Sequence, residues 1–219
     1  MRCMMRLFRW LIVCATTAVA TGCVPSQQPA KNGPAAQFET SFEEQLAAVR
    51  SGERDRIEIR FRALSMDELA ELQKLTDLKQ LRLEQTPISD EGVELLLNLR
   101  ELKILNLPRA RFTDRALARL GQFSKLELLR CGSPQVSDDG IAHIRQLSKL
   151  RFLHLIDTPI TDAGLKHLYG MTQLESFYID GGNVTEAGLG ELLKALPALH
   201  MHVRGDHLPN DPNADKHGM

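Results

Sequence analysis

The sequence predicts an α/β solenoid in which one short unit is stacked on copies of itself. Three observations predict it. Seven apolar pairs recur at a spacing of 24 residues: Ile57/Ile59, Leu81/Leu83, Leu105/Leu107, Leu129/Cys131, Leu153/Leu155, Phe177/Ile179 and Met201/Val203. Other apolar columns share that period, among them Leu78, Leu102, Leu126, Leu150 and Leu174, and Val93, Leu117, Ile141, Leu165 and Leu189. Within each unit the apolar spacing changes from alternation around the pair to three-residue steps from Val93 onward. A fixed period of this size marks a supersecondary unit that buries its apolar face only against its neighbours.

The opening segment, residues 1–22, reads as a targeting signal. Arg2, Arg6 and Arg9 make a basic start, Trp10 to Ala20 is apolar, and Ala20-Thr21-Gly22-Cys23 ends it with small residues before a cysteine. The apolar run is too short to span a bilayer comfortably. The last four residues resemble a bacterial lipoprotein signal, with Ala20 where leucine is usual. That resemblance implies lipidation of Cys23, a membrane anchor made of lipid, and a place in the bacterial cell envelope. Val24 is not the aspartate that retains lipoproteins at the inner membrane, which favours the outer one. Residues 23–37, rich in Pro, Gln and Ala, read as a flexible tether.

Residues 38–52 are expected to cap the solenoid. Phe38, Phe42, Leu46 and Val49 stand at helical spacing. Residues 53–204 hold the repeats. In each, the apolar pair forms a strand with one buried face, and a short helix follows. Ser89, Thr113, Ser137, Thr161 and Thr185 suit the helix N-cap. Asp90, Asp114, Asp138, Asp162 and Glu186 place negative charge at the positive end of the helix dipole. Gly92, Gly140, Gly164 and Gly188, with Ala116 in the same column, are expected to admit close approach of helix and strand backbones. The polar tail, 205–219, leaves the last strand poorly covered on this reading.

The units from Leu78 (LKQLRLEQTPISDEGVELLLNL) and Leu150 (LRFLHLIDTPITDAGLKHLYGM) resemble the bacterial leucine-rich repeat, LxxLxxLxLxxTxITDxGLxxLxxL. The resemblance covers about residues 54 to 204 and implies a right-handed solenoid. About seven short parallel strands would line its concave face and short helices its convex face. It is specific for fold and says little about ligand.

Residues alternating with the buried pairs point to the concave side. Ile104, Leu128 and Phe152 are consecutive in one such column, with Ile156 near them. Arg130, His154 and Tyr178 flank the row. Arginine and tyrosine around an apolar anchor are the composition of interface hot spots. These seven residues are the candidate binding site, and the expected partner is a protein or peptide. The competing reading is a structural, self-assembling envelope lipoprotein that associates through its C-terminal end.

Several functions find no support in the sequence. No nucleophile elbow, phosphate loop, zinc-protease helix or dinucleotide fingerprint occurs, so no enzyme and no cofactor is expected. His200 and His202 share a strand face, but no compact metal-ligand spacing appears, and no metal site is expected. Arg204-Gly205-Asp206 matches an integrin-binding tripeptide by letters, and its arginine is expected to lie on a strand. Cys131 sits at a core position, where a thiol acts as a small apolar group. The formal net charge is −1. Loss of the three signal arginines leaves 24 basic and 28 acidic residues, formally −4, which disfavours nucleic acid as a partner. Cleavage before Cys23 would also remove Trp10, the only tryptophan. Protein purified from the native envelope should therefore show no tryptophan fluorescence and an intact mass of the 23–219 chain plus lipid. A tryptophan signal would refute processing.

Overall fold

A computed structural model describes residues 40–207 of the 219. The signal, the tether, Phe38 and the tail beyond 207 lie outside the described residues. The fold is an eight-stranded sheet in sequential order, with helices between its strands. Its strands are β1 (Arg56–Arg60), β2 (Gln80–Glu84), β3 (Ile104–Leu107), β4 (Leu128–Cys131), β5 (Phe152–Ile156), β6 (Ser176–Asp180), β7 (His200–Val203) and β8 (Asp206–His207). β1 to β7 are parallel, and every pairing is offset by 24: Leu81 faces Leu105, Leu129 faces Leu153, Phe177 faces Met201. The apolar pairs are the inward residues of these strands; Ile57, Leu81, Leu105, Leu129, Leu153, Phe177 and Met201 are fully buried. The predicted α/β solenoid with seven parallel strands is the observed fold.

The helices are α1 (Phe42–Arg50), α2 (Met66–Leu72), α3 (Asp90–Leu96), α4 (Asp114–Leu120), α5 (Asp138–Ile141), α6 (Asp162–Lys166) and α7 (Glu186–Ala195), with a 3₁₀ turn at Ile144–Gln146. α2 to α7 contact one another in sequence. The apolar stripe of each meets the leucine columns below, so Val93, Ile141 and Leu165 have no exposed surface. Every one of these helices starts at a Ser or Thr whose hydroxyl accepts from a backbone N–H of the first turn.

The acid column does more than face the helix dipole. Asp90 accepts from both the backbone N–H and the hydroxyl of Thr113, at 2.8 Å each. Asp114 binds Ser137 in the same way (2.8 and 2.5 Å), Asp138 binds Thr161 (2.7 and 2.6 Å), and Asp162 binds Thr185 (2.8 and 2.7 Å). Each carboxylate thus ties its own helix start to the cap of the next repeat. The two bonds from Thr185 hold Asp162 below the usual carboxylate range, first through the backbone N–H and then the hydroxyl.

The glycine column follows from this ladder, which corrects the expectation of helix against strand. A Cβ at Gly140 would overlap Asp114 Oδ1; at Gly164 it would overlap Asp138 Oδ1, and at Gly188 the Asp162 carboxylate. Gly92 differs, since a Cβ there would meet Ile88 Cγ1 at 2.6 Å. The unit before it has Glu68 in this column instead, in a capping box with Ser65.

Each end of the sheet has its own cover. On β1 the edge is closed by α1 through one side chain. Gln45 Nε2 donates to Glu58 O at 2.9 Å, and Glu58 N donates to Gln45 Oε1 at 2.8 Å. The primary amide takes the place of a neighbouring strand, while Phe42 and Leu46 cover the apolar end. At the other edge, β8 folds back on β7 as an antiparallel hairpin, pairing Val203 with Asp206 and His202 with His207. Arg204 (φ 54°) and Gly205 (φ 86°) make the two-residue turn. This corrects two expectations: the last strand has an edge partner, and Arg204 lies on an exposed turn rather than on a strand.

The ladder makes a quantitative prediction. Asp114→Ala removes two charge-assisted bonds, and Gly140→Ala drives a methyl into the same carboxylate. Each should cost about 1–3 kcal/mol in urea unfolding. The double variant should cost clearly less than the sum, because removing the carboxylate makes room for the methyl. Strict additivity would mean the two positions do not share this contact.

Candidate functional site

The sheet face opposite the helices carries the candidate residues. Ile104, Leu128 and Phe152 are adjacent in register on β3, β4 and β5. All three are half-buried, so the row is a partly sunken apolar strip rather than an open patch. Arg151 closes one side of it: its guanidinium lies 5.1 Å from the Phe152 ring centroid, and two bonds of 2.6 and 2.7 Å hold it to Glu175.

Beside the strip runs a continuous polar chain, one residue per strand. Asn106 Nδ2 donates to Glu84 Oε1 at 3.5 Å, and Arg130 Nη1 donates to Asn106 Oδ1 at 3.3 Å. Arg130 Nε donates to His154 Nδ1 at 3.3 Å. Arginine has no acceptor, so Nδ1 must be the bare nitrogen and Nε2 carries the proton. That Nε2 donates to Asp180 Oδ2 at 2.7 Å. Tyr178 lies 5.4 Å from the His154 ring and stacks on His202 at 4.3 Å with 6° between planes. The structure therefore brings Arg130, His154 and Tyr178 together in one bonded, stacked row. Ile156 pairs with Asp180 at the row's margin.

The edge past the strands holds residues that the strand pattern did not single out. Phe61, Gln85 and Asp157 share one column, and all have positive φ (56°, 54° and 48°). Phe61 is 76% exposed, the most exposed large apolar residue among those described. A bulky side chain held in the left-handed region and left in water is the kind of outlier that marks functional surfaces. Phe61 lines a groove of about 320 Å³ with Glu84, Gln85, Pro108, Arg109, Arg130, Ile156 and Asp157. Gly132 packs between two of these residues: a Cβ there would overlap the Ile156 carbonyl oxygen and stand 2.7 Å from that of Pro108. β3 and β4 end at Leu107 and Cys131, so Pro108 and Gly132 follow the strand ends. An aromatic at Phe61, in a column otherwise made of Gln85, Arg109, Ser133, Asp157 and Gly181, was the available sequence signal.

A larger hollow, about 630 Å³, lies around Arg145, Lys166 and Gln173 at the helix ends. It lacks the aligned columns of the sheet face. Cys131 is buried, and burial pushes its thiol up to about 12, so it is no nucleophile. Cys23 lies outside the described residues.

The fold has solved counterparts. An internalin, InlF, from Listeria monocytogenes superposes with a TM-score of 0.58 at 18% identity, covering 74% of this chain and 51% of its own length. A second Listeria internalin, InlC2, gives 0.50 at 22% identity, covering 66% and 62%. The architecture is the leucine-rich repeat solenoid. This chain spans about half the length of the InlF structure and under two thirds of InlC2. No protein-family profile and no curated protein matches the sequence.

The polar chain has a defined pH response. Burial holds His154 below its ordinary value, Asp180 opposes that shift, and Arg130 adds to it. A depressed histidine favours folding in its neutral form. That contribution is complete above the ordinary range, about 6.5, and is lost as pH falls through the lower folded value. By NMR, the His154 imidazole should titrate below an ordinary histidine. Asp180→Asn should lower its midpoint further, and Arg130→Gln should raise it. An elevated midpoint in the native chain would mean that the Asp180 interaction, and not burial, dominates at His154.

Proposed function

We propose that this chain is a lipid-anchored recognition module of the bacterial envelope that binds a protein or peptide through the open, concave face of its sheet. One observation carries the reading: Phe61 stands exposed at a groove lined by Pro108, Ile156 and Arg130, with the Ile104–Leu128–Phe152 strip across the polar row on the same sheet. Apolar anchors within a rim of arginines, histidine and tyrosine suit a peptide-sized partner. The face's cations favour a partner with carboxylates. Arg130 is bonded to neutral Asn106 and His154, and Arg82 and Arg109 are exposed, whereas Asp180 is engaged by His154 and Glu58 by Arg60.

The anchor belongs to the same proposal. Among the described residues no helix is long and apolar enough to cross a membrane. Attachment would rest on lipid at Cys23, with the tether holding the solenoid off the bilayer. Self-assembly through the C-terminal end finds less support, because β8 occupies the β7 edge at His202 and Val203.

Crosslinking and quantitative pull-down from native envelopes test the face. Phe61→Ser, Phe152→Glu and Arg130→Glu should each reduce capture of a shared partner set at least about tenfold, a loss of about 1.4 kcal/mol or more. Met66→Ser, at the other exposed large apolar residue among those described and on α2, should not. Equal capture by all variants removes the sheet face from consideration.

A further inference from the structure

Charge is unevenly spread over the open face. Across β1 to β4 its outward positions hold four arginines, Arg56, Arg60, Arg82 and Arg130, against two glutamates, Glu58 and Glu84. Arg109, just past β3, adds a cation at the Phe61 groove. Arg60 engages both glutamates, and Glu84 also accepts from Asn106. Among the described residues Arg56, Arg82, Arg109 and Arg130 form no ion pair. The strand starts leave this balance unchanged, because Lys79 pairs with Asp55, Lys103 with Glu127 and Arg151 with Glu175. On β5 and β6 the outward residue with a full charge is Asp180, and Asp157 follows β5. The face therefore changes sign along the solenoid. Its positive half belongs to a chain whose formal net charge is −1. Uncompensated cations gathered on one face of a net-acidic protein create a local field that selects an anionic partner.

We infer, resting on the recognition function proposed above, that the β1–β4 half of the open face binds an acidic segment of a protein partner in extended conformation, with carboxylates at alternate positions and an apolar side chain at the Phe61 groove. Spacing supports this occupant. Arg82 and Arg130 hold equivalent positions on β2 and β4, with Asn106 between them in register. Two strand spacings put their backbones about 9–10 Å apart. Alternate residues of an extended chain are about 6.6–6.8 Å apart and project to the same side. The arginine arms span the difference, so each guanidinium meets one carboxylate. Arg82 is exposed, and Arg130 is held only by the neutral acceptors Asn106 and His154, at 3.3 Å each. Exchanging those acceptors for a carboxylate turns long hydrogen bonds into a charge-assisted pair. The groove of about 320 Å³ lined by Phe61, Pro108 and Ile156 has room for an apolar side chain, which favours a peptide over a lipid headgroup. Asp157 and Asp180 repel a further carboxylate and confine the acidic segment to the first four strands.

Fluorescence anisotropy on the full chain in nonionic detergent tests this with a dye-labelled peptide, FSESE, amidated at its C-terminus so that its side chains carry the negative charge. Binding should be saturable, with a dissociation constant on the order of 100 µM at low salt. Salt at about 0.3 M should weaken it at least about fivefold. The peptide FSKSK should not bind. Arg82→Gln and Arg130→Gln should each weaken FSESE at least about threefold, whereas Arg145→Gln, on the 3₁₀ turn between α5 and β5, should leave it unchanged. Asp157→Asn should bind as tightly as the native chain or more tightly. Arg82 is exposed, so its variant should keep the native thermal midpoint and its loss of binding is not a loss of folding. Absence of FSESE binding, binding indifferent to salt, or equal binding by both arginine variants would overturn the inference. So would capture of phosphatidylglycerol vesicles, reduced by Arg82→Gln, in place of the peptide. If FSESE fails to bind while Phe61→Ser and Phe152→Glu still lose envelope capture, the acidic segment falls alone; if those variants also keep capture, the recognition function falls with it.

Discussion

The structure depends on one constraint: every parallel strand pairs with the next at the same 24-residue offset. A constant offset stacks equivalent side chains directly on one another, so a choice made once per repeat becomes a column. Leucine in a column gives a continuous core that no single repeat contains. Aspartate in one column and serine or threonine in another give a hydrogen-bonded spine along the helix starts. Opposite charges on successive strand starts give exposed rungs such as Lys103–Glu127 and Arg151–Glu175. Those rungs are solvated and contribute little each. The buried columns and the carboxylate spine hold the stack together.

The spine explains why this short unit tolerates helices as brief as α5, four residues long. A helix of one turn is not stable alone. Here its cap is held by the aspartate of the preceding repeat, and its own aspartate holds the next. From Thr113 to Thr185 the hydroxyl of each cap donates back to the preceding repeat's aspartate and accepts from its own first turn, so both functions are used. Gly140, Gly164 and Gly188 leave the space that the neighbouring carboxylate fills. Helix starts, inter-repeat contact and glycine column are therefore one device, repeated from Asp90 to Thr185.

The open face obeys the same stacking rule with different chemistry. Asn106, Arg130, His154, Tyr178 and His202 occupy equivalent positions on five successive strands, and each touches the next. The row is ordered by hydrogen bonds in its first half and by ring stacking in its second. An arrangement fixed before a partner arrives loses little side-chain freedom on binding. The groove at Phe61 adds the apolar element that a polar row lacks.

Much of this was legible in the chain itself. The seven inward pairs, the cap residues and the seven candidate face residues follow from period and alternation, because a strand directs neighbours to opposite faces whatever surrounds it. Local pattern also placed a capping helix around Phe42 and Leu46. Other features needed three dimensions. That Asp138 reaches Thr161, that Gln45 stands in for a strand, and that Phe61 lines a groove with Ile156 are relations between residues 13 to 95 positions apart, set by how repeats stack. The hairpin that brings His207 opposite His202 turns on two left-handed residues, only one of them a glycine. Sequence determined which residues share a column; only the tertiary structure decided which atoms of neighbouring columns meet, because that depends on the distance and angle between repeats rather than on their period.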